Sequence, residues 1–461
     1  MSLMVSISGI RGIVGESLTP DIIVNYSAAF AQYCQRGPIV IGRDGRLTGK
    51  IIGNIVSSTL LSMGCDVIAL GIVPTPTIQI AVEKLNAAGG ISITASHNPM
   101  QWNGLKFLSN TGMFLDLQEF SQFFDITKSK HFQYVKWDTL GKHVFDESFI
   151  KKHIDMVVGL PYVQTEQIRK RKFRVVVDCI NAAGGVIVPQ LLRELGCYVV
   201  EMNCDVGGVF ARNPEPLPEH LGEVCDRVRK EKADLGIVVD PDVDRLVIVT
   251  EKGAPFGEEY TIASITKLIL EKNKNWITAK RKPLVVVNLS TTKAVDAIAQ
   301  SYGAQVVRTP VGEINVARKM KECGAVIGGE GSGGVILPDV HYGRDAIVGI
   351  GLFLQMLTDH GGTVSEFKAS LPQFSMIKTK VELENHDAES ILKLIQERHS
   401  RNGDINTDDG LRIDFKGSWV HMRKSNTEPI IRIIAEASTP EQAQSLIDKF
   451  KNDITKLGER L

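Results

Sequence analysis

Four times along the chain an apolar, strand-like run stops at a short and strongly polar cluster. Ile91 and Ile93 alternate with Ser92 and Thr94 in the run from Gly90 to Ala95, which predicts a strand ending at Thr94-Ala95-Ser96-His97-Asn98-Pro99. Leu235 to Val239 and Leu246 to Val249 predict strands on either side of Asp240-Pro241-Asp242-Val243-Asp244-Arg245. Ala325-Val326-Ile327 and Val335-Ile336-Leu337 bracket a glycine-rich loop, Gly328 to Gly334, while Ser418 to Met422 and Ile430 to Ala435 bracket Arg423-Lys424-Ser425-Asn426-Thr427-Glu428-Pro429. Helical periodicity fills the intervals, and three amphipathic helices end in one kind of joint: Met63-Gly64-Cys65-Asp66-Val67, Leu195-Gly196-Cys197-Tyr198-Val199 and Tyr302-Gly303-Ala304-Gln305-Val306. That recurrence predicts three related α/β domains. After Leu371 the alternation thins to a few strands and two helices, the last capped by Thr439-Pro440-Glu441, so the chain should close with an α+β domain. The expected domains are residues 1–150, 151–252, 253–370 and 371–461.

Each cluster carries its own chemistry. Pro99 keeps Asn98 out of the helical region, so Ser96 belongs to a turn beyond a strand end, where open α/β sheets bind ligands. The bland alternative is that Ser96 or Asn98 caps a following helix. His97 adjoins Ser96 in sequence, a spacing ill suited to a Ser-His-Asp triad, and no G-x-S-x-G elbow surrounds the serine. Asp240, Asp242 and Asp244, at alternate positions of an extended segment, would point one way, and three crowded carboxylates call for a hard cation such as Mg2+. An EF-hand fails because Arg245 stands where its glycine is required; that arginine suits phosphate. Gly329, Gly331 and Gly334 form a G-x-G-x-x-G pattern, but a strand rather than a helix should follow, which excludes a dinucleotide site. What remains is a glycine-rich loop presenting Glu330 and Ser332, groups that hydrogen-bond sugar hydroxyls. Arg423 to Pro429, with Arg432 on the outgoing strand, reads as a phosphate clamp or as a solvated basic hairpin.

Together the four segments resemble, in order and along essentially the whole chain, the α-D-phosphohexomutase superfamily of phosphoglucomutases, phosphomannomutases and phosphoglucosamine mutases. The resemblance implies four domains around a central cleft. It also implies that Ser96 is the phosphorylated serine and that Ser96, Asp240, Asp242 and Asp244 hold one Mg2+. Asn103-Gly104-Leu105-Lys106 matches the segment whose lysine transfers protons, with His97 assisting, and Ser8-Gly9-Ile10-Arg11-Gly12 matches an arginine turn facing the site. Thr309-Pro310-Val311-Gly312 matches the loop that contacts the sugar, so Thr309 and Gly312 join Arg245, Glu330, Ser332, Arg423, Ser425, Asn426, Thr427 and Arg432 as implied substrate contacts. Gly331 stands where other subgroups carry methionine or glutamine, and Gly334 where many carry histidine; His341 either takes over that histidine's role or is a surface residue. The implied reaction moves a phosphoryl group between the 6- and 1-positions of a hexose phosphate through phosphoserine and a 1,6-bisphosphate, with glucose or glucosamine 1,6-bisphosphate as activator. The opening Ser6 to Gly12 favours glucosamine phosphate, with glucose or mannose phosphate as the alternative.

The 461 residues suit roughly three to four domains. Lys plus Arg and Asp plus Glu both number 53, so no net charge or basic block points to nucleic acid or an anionic membrane, and phosphate binding must be local. Seven cysteines without a CxxC pair argue for a reducing, cytoplasmic setting, and no membrane-length apolar run is visible. A phosphoserine-forming phosphatase or a silent sugar-phosphate binder remain as other classes; the first would release inorganic phosphate and the second would lack the nucleophile or metal ligands.

Overall fold

The structure is a computed structural model that describes residues 2–273, 282–383, 387–400, 403–425 and 430–458. Its strands gather into four sheets of seven, four, four and five strands. Three of the sheets share one topology. In the first, Val67–Ile72, Ile39–Arg43 and Gly89–Ile93 run parallel in that order, and Trp102–Ser109 closes antiparallel beside Gly89–Ile93. The second repeats this with Tyr198–Met202, Arg174–Asp178, Leu235–Val239 and antiparallel Leu246–Thr250. The third repeats it with Gln305–Thr309, Leu284–Asn288, Ile327–Glu330 and antiparallel Gly334–Ile336. Each helix-to-strand joint singled out above leads into the second, in chain order, of the four strands that the three domains share. Gly64, Gly196 and Gly303 sit there at φ of 87°, 77° and 67°, the left-handed turn that only glycine makes without strain. The first sheet is extended by Gly9–Ile13 and Met4–Ser6 on one edge and His143–Phe145 on the other.

Because the topology repeats, the serine, aspartate and glycine-rich clusters occupy one equivalent place, the reversal between the third and fourth strands. The strands before them are wholly buried, as a parallel sheet covered by helices requires, and so each polar cluster emerges at a carboxyl edge. The last domain is a five-stranded antiparallel sheet, with helices Ala388–His399 and Pro440–Gly458, and its basic cluster joins Ser418–Lys424 to Ile430–Ala437. One apolar core runs from the second domain into the third, whereas the fourth keeps a core drawn entirely from residues 383 to 457. Its seam with the third domain is polar, with Ser290 Oγ and His421 Nδ1 2.9 Å apart and the Lys293 N–H donating to Glu436 Oε1 at 2.8 Å. Among the described residues no helix is long and apolar enough to cross a membrane.

Candidate active site

Ser96 lies in a turn closed by the Asn98 N–H on the Ala95 carbonyl at 3.1 Å, and a strand follows, which excludes the helix-capping reading. Its backbone is left-handed, φ 51°, a strained state for a serine. Arg46 holds it there. This guanidinium is fully buried, and all five of its N–H donors are used: Nε on Asp44 Oδ2, Nη1 on the carbonyls of Pro99 and Trp102, and Nη2 on those of Ser96 and Asn98. Thr94 completes the frame by donating to Asp44 Oδ2 at 2.7 Å and accepting the Ser96 N–H at 2.9 Å. Arg11 donates to Asn98 Oδ1 at 3.0 Å, so the amino-terminal turn reaches the serine loop. His97 Nδ1 lies 3.4 Å from Ser96 Oγ. Burial, with Arg245 and Arg11 close by, lowers the His97 imidazole to about 2, which favours its neutral form.

The three aspartates are completely buried and converge, with one oxygen from each within 4.8 Å of the others. They are not brought together by strand alternation, as the spacing predicts, but by a turn. Asp240 Oδ1 accepts the N–H groups of Asp244 and Arg245 at 3.1 and 3.2 Å, and Val243 is left-handed at φ 61°, a costly conformation for a β-branched residue. Successive carbonyls explain its persistence. That of Pro241 accepts from the Ala183 N–H, that of Asp242 from Thr75 and that of Val243 from Ala346, so all three of the related domains grip the loop. Lys106 Nζ contacts Asp242 Oδ2 at 2.6 Å and Asp244 Oδ2 at 3.6 Å. Burial alone would raise the Asp242 carboxyl, but Lys106 holds it below its ordinary range; Asp240, buried beside Asp244 and Asp242, is pushed well above its own. Asp240 Oδ2, Asp242 Oδ1 and Asp244 Oδ1 are buried without a hydrogen-bond partner. Three such oxygens on one small volume fit a hard divalent cation.

Beside this cluster opens a cavity of about 270 Å³, lined by Arg245, Glu330, Ser332, Arg423 and Arg432 from the expected set. Glu330 Oε1 accepts from Asn288 Nδ2 and the Gly312 N–H, and its Oε2 from Arg344. Gly312, at φ 126°, thus touches Glu330 through its backbone N–H. Thr309 turns its hydroxyl onto the Pro310 carbonyl at 3.0 Å, and Val311, not Thr309, lines the cavity. Arg423 pairs with Asp409 at 2.9 Å, and the Ser425 N–H donates to the Ile430 carbonyl at 3.0 Å. Asn426 and Thr427 lie outside the described residues. His341 fits neither expectation: it is 4% exposed, is absent from the cavity wall, and places Nε2 3.0 Å from Asp345 Oδ2, which also faces His153.

Sequence reasoning missed Arg344, whose guanidinium ties Asp244 (2.5 Å) to Glu330 (2.7 Å) and Glu313 (3.1 Å) and so joins the aspartate cluster to the glycine-rich loop. The signal available was a charged pair, Arg344-Asp345, set before the long apolar helix Ala346–His360 that Asp345 caps. Asn288 and Asp44 stand at or just after parallel strand ends and were open to the rule that found Ser96. Lys378, Glu259 and His421 also reach the cavity.

A serine turn, a carboxylate cluster that fits a cation and a cavity carrying several arginines come together between the sheets, an arrangement suited to phosphoryl transfer. Four family models match in order: Phosphoglucomutase/phosphomannomutase alpha/beta/alpha domain I over residues 4–133, domain II over 151–253, domain III over 257–374, and the C-terminal domain over 376–452. The chain is 36% identical over 458 residues to a probable phosphoglucosamine mutase of Methanopyrus kandleri, covering 98% of each protein. It is 38% identical over 446 residues to a phosphoglucomutase/phosphomannomutase of Thermococcus kodakarensis, covering 95% of this chain and 96% of the relative. The solved structure of a phosphoglucomutase/phosphomannomutase family protein from Burkholderia thailandensis superposes with a TM-score of 0.84 at 24% identity, over 99% of this chain and 98% of that one. The chain belongs to the phosphoglucomutase/phosphomannomutase family of the α-D-phosphohexomutase superfamily and is a phosphohexomutase, an isomerase acting by phosphoryl transfer.

Proposed function

We propose that the enzyme interconverts the 6- and 1-phosphates of a hexose through phosphorylated Ser96, with glucosamine phosphate as the favoured substrate. The observation that carries the mechanism is the set of three unpartnered, buried aspartate oxygens beside Lys106. Asp240, Asp242 and Asp244, with an oxygen on Ser96, would hold one Mg2+, which supplies positive charge to the transferring phosphoryl group. A sugar hydroxyl oxygen forms a bond to phosphorus as the bond from phosphorus to Ser96 Oγ breaks, giving a 1,6-bisphosphate. The proton lost by the hydroxyl ends on Ser96 Oγ as that oxygen is released, with Lys106 as the proposed acid-base group of the relay, and it passes back to the sugar oxygen when the other phosphate returns to Ser96. Arg245, Arg423 and Arg432 face the cavity as phosphate contacts, with Ser425, Asn426 and Thr427 extending the clamp, while Glu330 and Ser332 face the sugar hydroxyls. Glucose or glucosamine 1,6-bisphosphate would prime the serine, and the cytoplasm is the proposed setting.

The sugar preference is supported by relatives named probable phosphoglucosamine mutase and by the Ser6 to Gly12 segment; the Thermococcus kodakarensis relative supports glucose or mannose phosphate as the second reading. The test is initial mutase rates on glucosamine 6-phosphate, glucose 1-phosphate and mannose 1-phosphate with Mg2+ and trace bisphosphate, for the wild type and Ser96→Ala. Preference for the amino sugar with an inactive alanine variant supports the reading. Release of inorganic phosphate without isomerisation would replace it with hydrolysis.

A further inference from the structure

Gly331 lacks a left-handed backbone, so the reason for glycine there is space. A Cβ at this position would lie 1.9 Å from Glu259 Oε2 and 2.4 Å from its Cδ. The Glu259 carboxylate, rising from the first turn of helix Glu258–Lys272, therefore occupies the volume into which a side chain at position 331 would project. It lines the same cavity as Glu330 and Ser332.

We propose that Glu259 is the group by which this enzyme selects an amino sugar, receiving the 2-ammonium of a hexosamine phosphate beside the hydroxyls faced by Glu330 and Ser332. The inference rests on the glucosamine reading above. Oε1 accepts from Lys378 Nζ at 3.0 Å and Oε2 from the Thr292 N–H at 3.2 Å, which leaves each oxygen a lone pair. Lys378 also serves Glu258 at 2.5 Å, so these two carboxylates share one ammonium, much as Glu330, Glu313 and Asp244 share Arg344. Negative charge thus remains in excess at this wall of the cavity. Burial holds the Glu259 carboxyl up to about 7, the state of an acid short of cationic partners, and an arriving ammonium favours its ionised form. Glucose phosphate differs from glucosamine phosphate at neutral pH by this one cation, and a site that presents a charged acceptor discriminates by what the competitor lacks.

The experiment measures kcat/KM for glucosamine 6-phosphate and glucose 6-phosphate with the Mg2+-loaded wild type, Glu259→Gln and Gly331→Ala, the last displacing the carboxylate without removing it. The ratio of amino sugar to neutral sugar should fall at least about ten-fold in both variants, which is about 1.4 kcal/mol of selectivity. Binding of the two sugars to the same variants made in Ser96→Ala should show the same change without turnover. A ratio left unmoved, or equal losses on both sugars, overturns the inference while leaving the glucosamine reading intact; a wild type that turns over glucose phosphate but not glucosamine phosphate removes both. Should Glu259→Gln fail to fold, Gly331→Ala decides by the same ratio.

Discussion

Arg46→Met tests whether the serine loop is held by one buried guanidinium. The side chain is 0% exposed and saturates its five donors on Asp44 and four carbonyls of residues 96 to 102. Methionine fills much of the volume but leaves Asp44 without its cation and takes a donor from each of the four carbonyls, of which that of Pro99 keeps the Trp102 N–H. Breaking a buried ion pair costs about 3–5 kcal/mol, and each stranded carbonyl that water cannot reach adds about 1–3 kcal/mol. Even if water rescues most of the carbonyls, the first domain should lose about 4 kcal/mol. At about 2–4 °C per kcal/mol for a domain of this size, its midpoint should drop by about 8–16 °C. Hydrogen exchange over residues 89–109 reads this domain separately from the rest. Replacing Asp44 with asparagine in the same chain removes the stranded charge, so the double variant should lose less than the sum of the singles. Phosphoryl uptake by Ser96, followed by intact mass, should fall with the loop's order. A single-variant loss under about 1 kcal/mol, or an additive cycle, refutes the reasoning.

Asp240→Asn removes one of three crowded carboxylates, and Asp240 is the one that burial and its neighbours push well above its ordinary range. In the presence of a chelator this variant should melt above the wild type, and with excess Mg2+ the order should reverse; a less stable metal-free variant would count against mutual repulsion. Arg344→Lys severs the joint contact with Asp244 and Glu330, and should raise both the Mg2+ requirement and the KM for sugar phosphate about 10-fold or more, measured by Mg2+ titration at several sugar concentrations. If only one of the two constants moves, the bridge does not couple them. The Glu259 carboxyl, buried next to Lys378, Glu258 and Glu436, is raised from 4.5 to about 7. A raised carboxyl favours the fold while protonated, so its contribution is complete below pH 4.5 and is lost as pH rises through about 7. Thermal midpoints taken across that window should fall with pH in the wild type and flatten in Glu259→Gln.

The strand-end rule worked for Ser96, the aspartates and Glu330 because burial forces it. A strand covered on both faces, such as Leu235–Val239, cannot present a polar side chain until it leaves the sheet, so the abrupt apolar-to-polar change in sequence marks the carboxyl edge. The same logic reaches Asn288 and Asp44. It does not reach Arg344 or Lys378, whose partners lie 100 and 119 residues away and meet them only when domains pack. Nor does it supply the shape of the aspartate turn. Local spacing predicts an extended segment, but Val243 is held left-handed by the Ala346 N–H, and the neighbouring Asp242 carbonyl by the Thr75 N–H. Glu259 is the clearest case of a silent residue. On a helix of mixed polarity it looks like any solvated first-turn glutamate, and only the absent side chain of Gly331, 72 positions later, makes it part of the cavity wall. A glycine in a loop is legible as flexibility; that it vacates space for a carboxylate from another element is a property of the packed fold, and it is there that selectivity between closely similar sugars is built.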